Sequence, residues 1–141
     1  MKPTACSLML AGCCSVLILL SACKGKPMTE GELLGKYELA SPHFAGSLEL
    51  KSDHTFLQKF VRGVNEIETS RGRWDYRPPG DESINRGTVG IYGAIIESDG
   101  NLLQKGPDFV VSMPVSINRK GVSLRLNPDG DHAYFKSSTR E

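Results

Sequence analysis

Beyond residue 34, glycine or proline interrupts this chain every ten residues or so, and no long helical periodicity survives the breaks. Segments of that length suit strands, which typically run about five to six residues, better than helices of three turns. The apolar residues between the breaks alternate as strands require. Val122, Leu124 and Leu126 face one way, and Ser123, Arg125 and Asn127 the other. Leu48 and Leu50 oppose Glu49 and Lys51, while Trp74 and Tyr76 alternate with Arg73, Asp75 and Arg77. Each set shows the period of two expected of a half-buried strand.

On this pattern strands are expected at 35–40, 46–51, 55–62, 66–76, 88–97, 108–118, 122–127 and 132–137. Turn chemistry separates them, as in Ser52-Asp53-His54, Ser98-Asp99-Gly100-Asn101 and Asn127-Pro128-Asp129-Gly130. Pro114 lacks a ladder donor, so the sixth strand should have an edge, a bulge or a split there. Thr29 can cap a short helix over 29–36 that packs Leu33 and Leu34. The polar connection at 76–87 is the longest loop. Eight short strands form an all-β fold: a small antiparallel meander closing into a barrel, which removes the edges that invite aggregation.

All four cysteines, Cys6, Cys13, Cys14 and Cys23, lie in the first 23 residues. Lys2 precedes a 13-residue apolar run, Leu8 to Leu20, which is too short for a comfortable membrane span of about 20 residues but suits a signal peptide. The run ends in Leu20-Ser21-Ala22-Cys23, which resembles the bacterial lipobox. That resemblance implies cleavage between Ala22 and Cys23 and acylation of Cys23. Two or three acyl chains make a durable anchor, since each buried methylene contributes roughly 0.8 kcal/mol. Lys24 follows, where lipoproteins of the enteric type carry an inner-membrane retention aspartate; lysine resembles the outer-membrane pattern. The expected organisation is a signal peptide at 1–22, an acylated cysteine and tether at 23–33, and a barrel domain at 34–141. The barrel would hold no thiol, and therefore no disulfide, thiolate metal site or cysteine nucleophile.

A second resemblance lies within the domain. Gly35-Lys36-Tyr37, Leu48-Glu49-Leu50 with Asp53-His54-Thr55-Phe56, and Gly72-Arg73-Trp74 resemble the opening of small lipocalin-like lipoprotein domains. His54 stands where that pattern has a turn glycine, and Tyr37 where it prefers tryptophan. The resemblance covers about residues 35–76. It implies a barrel whose interior either fills with side chains or holds one small apolar ligand. A ligand chamber would bind an apolar dye saturably until a larger residue replaced Val122, Leu124 or Leu126. Trp74 is expected to be buried.

Only Lys2 is charged before Cys23, so the remainder carries equal numbers of basic and acidic residues. That balance supplies no electrostatic argument for nucleic acid. The densest basic stretch, Lys59, Arg62, Arg71, Arg73 and Arg77, is interrupted by Glu66, Glu68 and Asp75 and reads as solvated strand faces. His43, His54 and His132 share no metal-ligand spacing. Asn127 to Asp131 fails as a calcium loop, because His132 falls where its glycine is needed. Gly31 to Tyr37 is too short for a phosphate-binding loop, and no Gly-x-Ser-x-Gly elbow exists. The expected protein is a non-enzymatic lipoprotein of the outer membrane, facing the periplasm and needing no cofactor or metal. It would be held by its lipid and bind an envelope protein partner or a small apolar ligand. The alternative is an inhibitor or immunity-type lipoprotein that inserts the 76–87 loop into an envelope enzyme.

Overall fold

The computed structural model describes residues 28–62, 64–80, 86–98, 101–119, 121–126 and 132–137. Among the described residues ten strands form: β1 (Gly35–Ala40), β2 (Ala45–Leu50), β3 (Thr55–Arg62), β4 (Asn65–Arg77), β5 (Thr88–Tyr92), β6 (Ile95–Ser98), β7 (Asn101–Gln104), β8 (Val110–Asn118), β9 (Gly121–Arg125) and β10 (Ala133–Lys136). Eight of them close in the order β1-β2-β3-β4-β5-β8-β9-β10 and back to β1. Every neighbouring pair is antiparallel. The expected eight-strand antiparallel barrel is therefore the fold.

One expected strand is two. The segment at 88–97 breaks at Gly93, whose φ of 80° lies in the left-handed region that glycine adopts without steric cost. The chain leaves the wall there, forms the β6–β7 hairpin outside the barrel ladder, and returns as β8. Ser98 pairs with Asn101, the two ends of the expected turn at 98–101, whose central residues lie outside the described residues. Pro114 sits where β8 changes partners. Val110 to Pro114 pair with β5, and Val115 to Asn118 pair with β9. The ladder to β9 begins one residue after the missing N–H, so the strand keeps its bonds.

The inward side chains fill the barrel. Tyr37, Leu48, Phe56, Phe60, Leu124 and Tyr134 are all fully buried. Each such apolar side chain contributes roughly 1.5–3 kcal/mol on leaving water. Leu124 is at the centre of the alternating set in β9, while Val122 and Leu126 pack against the core from its margins. Gly72 is a matter of space: a Cβ there would lie 2.2 Å from the Tyr92 carbonyl and 2.8 Å from the Phe56 ring. Trp74, two residues on, is buried as expected, and its indole N–H donates to the Lys51 carbonyl at 2.9 Å.

Both mouths are covered. At one, α1 (Glu30–Leu33) is capped by Thr29, and a capping box with Glu32 satisfies the first turn. The expected cap is thus present, but Leu34 is already extended, so the helix is shorter than 29–36. Leu33 and Met28 are buried, and the Tyr37 hydroxyl donates to the Leu33 carbonyl at 2.7 Å. Residues 28–33 therefore belong to the packed body, although their composition reads as tether. At the other mouth the start of β6 crosses the opening. Ile95 and Ala94 are buried there, and Phe44 meets Phe60 edge-on at 6.3 Å. Among the described residues no helix is long and apolar enough to cross a membrane.

Candidate functional site

The residues that sequence motifs single out, Ala22, Cys23 and Lys24, lie outside the described residues, as do the 127–131 turn and the centre of the 76–87 loop. The described base of that loop is clipped by the Tyr76 hydroxyl, which donates to the Arg86 carbonyl at 2.6 Å. Gly31 to Tyr37 fold into α1 and β1. No group of three histidine, cysteine or acidic side chains converges among the described residues. His54 adopts φ 60°, the conformation expected of a turn glycine. Its ring lies against Trp74 at 5.3 Å, and its Nε2 is 3.7 Å from Glu30. Asp53 accepts from the Thr55 N–H and hydroxyl at 2.9 and 2.6 Å, and those bonds hold its carboxyl below the usual range.

A polar cluster among the described core residues is structural. The Gln58 amide donates to the Ile95 carbonyl at 3.0 Å and to the Tyr134 hydroxyl at 2.9 Å, and its oxygen accepts from the Ile95 N–H at 2.8 Å. Nearby, the Ser70 hydroxyl donates to the Gly93 carbonyl at 2.7 Å. These bonds latch the hairpin across the mouth, and burial pushes the Tyr134 hydroxyl up to about 12. Sequence reasoning missed Gln58, although its inward parity between Phe56 and Phe60 is a readable sign.

On the outer wall, β4 presents Arg71, Arg73, Asp75 and Arg77, while Glu68 shares the parity of inward Ser70 and Trp74. Arg73, Tyr92 and Val110 are direct neighbours across β4, β5 and β8. The Arg73 guanidinium lies 4.2 Å from the centre of the Tyr92 ring. The Tyr92 hydroxyl donates to Asp75 at 2.8 Å, Arg77 stands 3.8 Å from the other Asp75 oxygen, and Arg77 donates to Ser112 at 3.2 Å. Gly90 makes this possible, because a Cβ there would lie 2.4 Å from Asp75 Oδ1. Beside the row, Lys105 approaches the ring of Phe109, which is 46% exposed. Arginine and aromatic side chains on a rigid sheet are the composition enriched at protein interfaces. The wall offers donors, one ring edge and an apolar rim. Compared with protein-family models, curated proteins and solved structures, the chain has no significant match.

Proposed function

We propose that this chain is an envelope lipoprotein, cleaved before Cys23 and acylated on it, that holds a non-enzymatic protein-docking barrel at the outer membrane, facing the periplasm. The lipobox and Lys24 support the anchor and its address. The observation that carries the docking reading is the filled interior: where a small apolar ligand would sit, Tyr37, Phe56, Phe60, Leu124 and Tyr134 already pack together. A protein partner on the outer wall is therefore favoured over an interior ligand. Four residues lie between Cys23 and Met28, and the five Cα–Cα steps reach at most about 18 Å, so the α1 end faces the membrane and the β6–β7 end points away from it.

Two measurements test this reading in cells. Metabolic labelling with an alkyne fatty acid should mark the wild-type chain and miss Cys23→Ser; equal labelling would remove the anchor. A benzoylphenylalanine placed at Val110 should form one discrete adduct with an envelope protein, and the same probe at Arg125 on β9 should form none. Equal behaviour at the two positions would remove the docking wall.

A further inference from the structure

We infer that the outer wall of β3, β4 and β5 is a cationic track for an extended acidic segment of a partner protein, with carboxylates at alternate positions; this rests on the docking reading above. Two grooves meet at Arg71. One, of about 350 Å³, runs between the wall and the chain after β7, past Arg71, Arg73, Tyr92, Gln104 and Lys105. The other, of about 470 Å³, continues past Lys51, Thr55 and Leu57. Their linings carry four cations, Lys51, Arg71, Arg73 and Lys105, and no carboxylate.

The surrounding charges leave this potential largely uncompensated. The cross-strand neighbours of Arg71 and Arg73 on β3 are Leu57 and Thr55, both neutral. Arg73 and Lys105 rest on aromatic rings rather than on acids, and Arg71 has no ion-pair partner among the described residues. Asp75, on the same strand face, accepts from Tyr92 through Oδ2, while its buried Oδ1 stands 3.8 Å from Arg77 with no hydrogen bond, so it offsets the neighbouring arginines in part. Asp53 stands beside Lys51 and offsets it in part. Glu49 is one strand further, opposite Leu57.

Geometry narrows the ligand further. Arg71 and Arg73 are two residues apart on one strand face, about 7 Å at the rise of a strand. An extended partner repeats its side chains on the same period, so alternating acids match the two guanidiniums in register. Arginine suits this role because its planar fork pairs with carboxylate oxygens bidentately.

The test uses the full acylated chain in nanodiscs of neutral lipid, with a labelled octapeptide of alternating glutamate and threonine read by fluorescence anisotropy. The alternating peptide should bind more tightly than one with its four glutamates in a block, and a lysine–threonine version should not bind. Arg71→Gln with Arg73→Gln should weaken binding at least tenfold at an unchanged urea midpoint. Lys105→Gln, from the opposite wall of the groove, should weaken it several-fold and serves as the independent variant. Equal binding of the acidic and lysine peptides, or undiminished binding by these variants, would overturn the inference. So would binding to phosphatidylglycerol vesicles without binding to the peptide, since that is the behaviour of a membrane-surface patch. If the Val110 adduct forms but the peptide is ignored, docking stands and the acidic track falls. If the peptide binds in register but no adduct forms, the track stands and its use as the envelope docking wall falls.

Discussion

The two faces of β4 carry opposite chemistry on one backbone. Over residues 70–74 its inward positions, Ser70, Gly72 and Trp74, are neutral and closely packed, with no room for a Cβ at Gly72. Its outward side chains, Arg71, Arg73, Asp75 and Arg77, are charged; the arginines are exposed, Asp75 is half-buried, and Arg73, Asp75 and Arg77 are joined through Tyr92 and Ser112. The inner face is held by packing, so changes there alter stability. The outer face sits in water, where charge pairs contribute about 0–1 kcal/mol, so changes there should alter recognition and leave the fold alone. Substitutions can break or sharpen that division.

The largest effect is expected at Trp74. Trp74→Ala leaves a cavity beside α1 and an unmatched Lys51 carbonyl, at a cost of about 3–5 kcal/mol, a large share of a small domain's stability. A urea titration followed by far-ultraviolet circular dichroism should find the variant largely unfolded in buffer. Next is Gln58→Leu, which strands the Ile95 N–H and carbonyl inside the hairpin mouth. Unsatisfied buried groups cost about 1–3 kcal/mol each. Hydrogen exchange should speed up at β6 and β7 first, with the barrel strands following in proportion to the lower global stability.

An alkaline titration probes the same inner face. Tyr134 keeps its proton up to about 12 because burial disfavours the phenolate, against about 10 in an unfolded chain. Burial pushes Tyr37 in the same direction. The folded state holds these protons more tightly than the unfolded state, so their contribution is complete below pH 10 and declines as pH rises towards 12. The urea midpoint should fall over that window, and Tyr134→Phe should fall less steeply from a lower starting value. His54→Gly is expected to matter least for stability. It removes a left-handed strain of about 1–2 kcal/mol and loses a ring contact on Trp74 worth about 0.5–1.5 kcal/mol. The melting temperature should therefore move by only a few degrees.

These contrasts also explain what could be read from sequence. Barrel strands were legible because one side of each faces a core, so Leu48 and Leu50, or Trp74 and Tyr76, announce their parity. The Asp53-His54-Thr55-Phe56 turn and Gly72-x-Trp74 were legible as a motif, and the structure supplies their causes: an aspartate that binds Thr55, a left-handed His54, and a glycine under the Phe56 ring. The hairpin strand β7 was not legible. Leu102 and Leu103 are adjacent, the first packed on the core and the second exposed, so no alternation marks it. Its partner β6 reads as a continuation of β5 in the sequence, and the positive φ of Gly93 parts them. The outer track was hidden by arithmetic along the chain. Glu66, Glu68 and Asp75 balance the arginines in sequence, but strand parity turns Glu68 away from the face that holds Arg71 and Arg73.

The separation of the two faces is tested most directly by one paired measurement on the Arg71→Gln, Arg73→Gln chain: its urea midpoint and its affinity for the alternating acidic peptide. The account predicts a stability within about 0.5 kcal/mol of wild type, as for surface substitutions generally, with peptide binding weakened at least tenfold. A midpoint that falls while the peptide still binds would contradict it, because the arginines would then hold the barrel together rather than serve its partner.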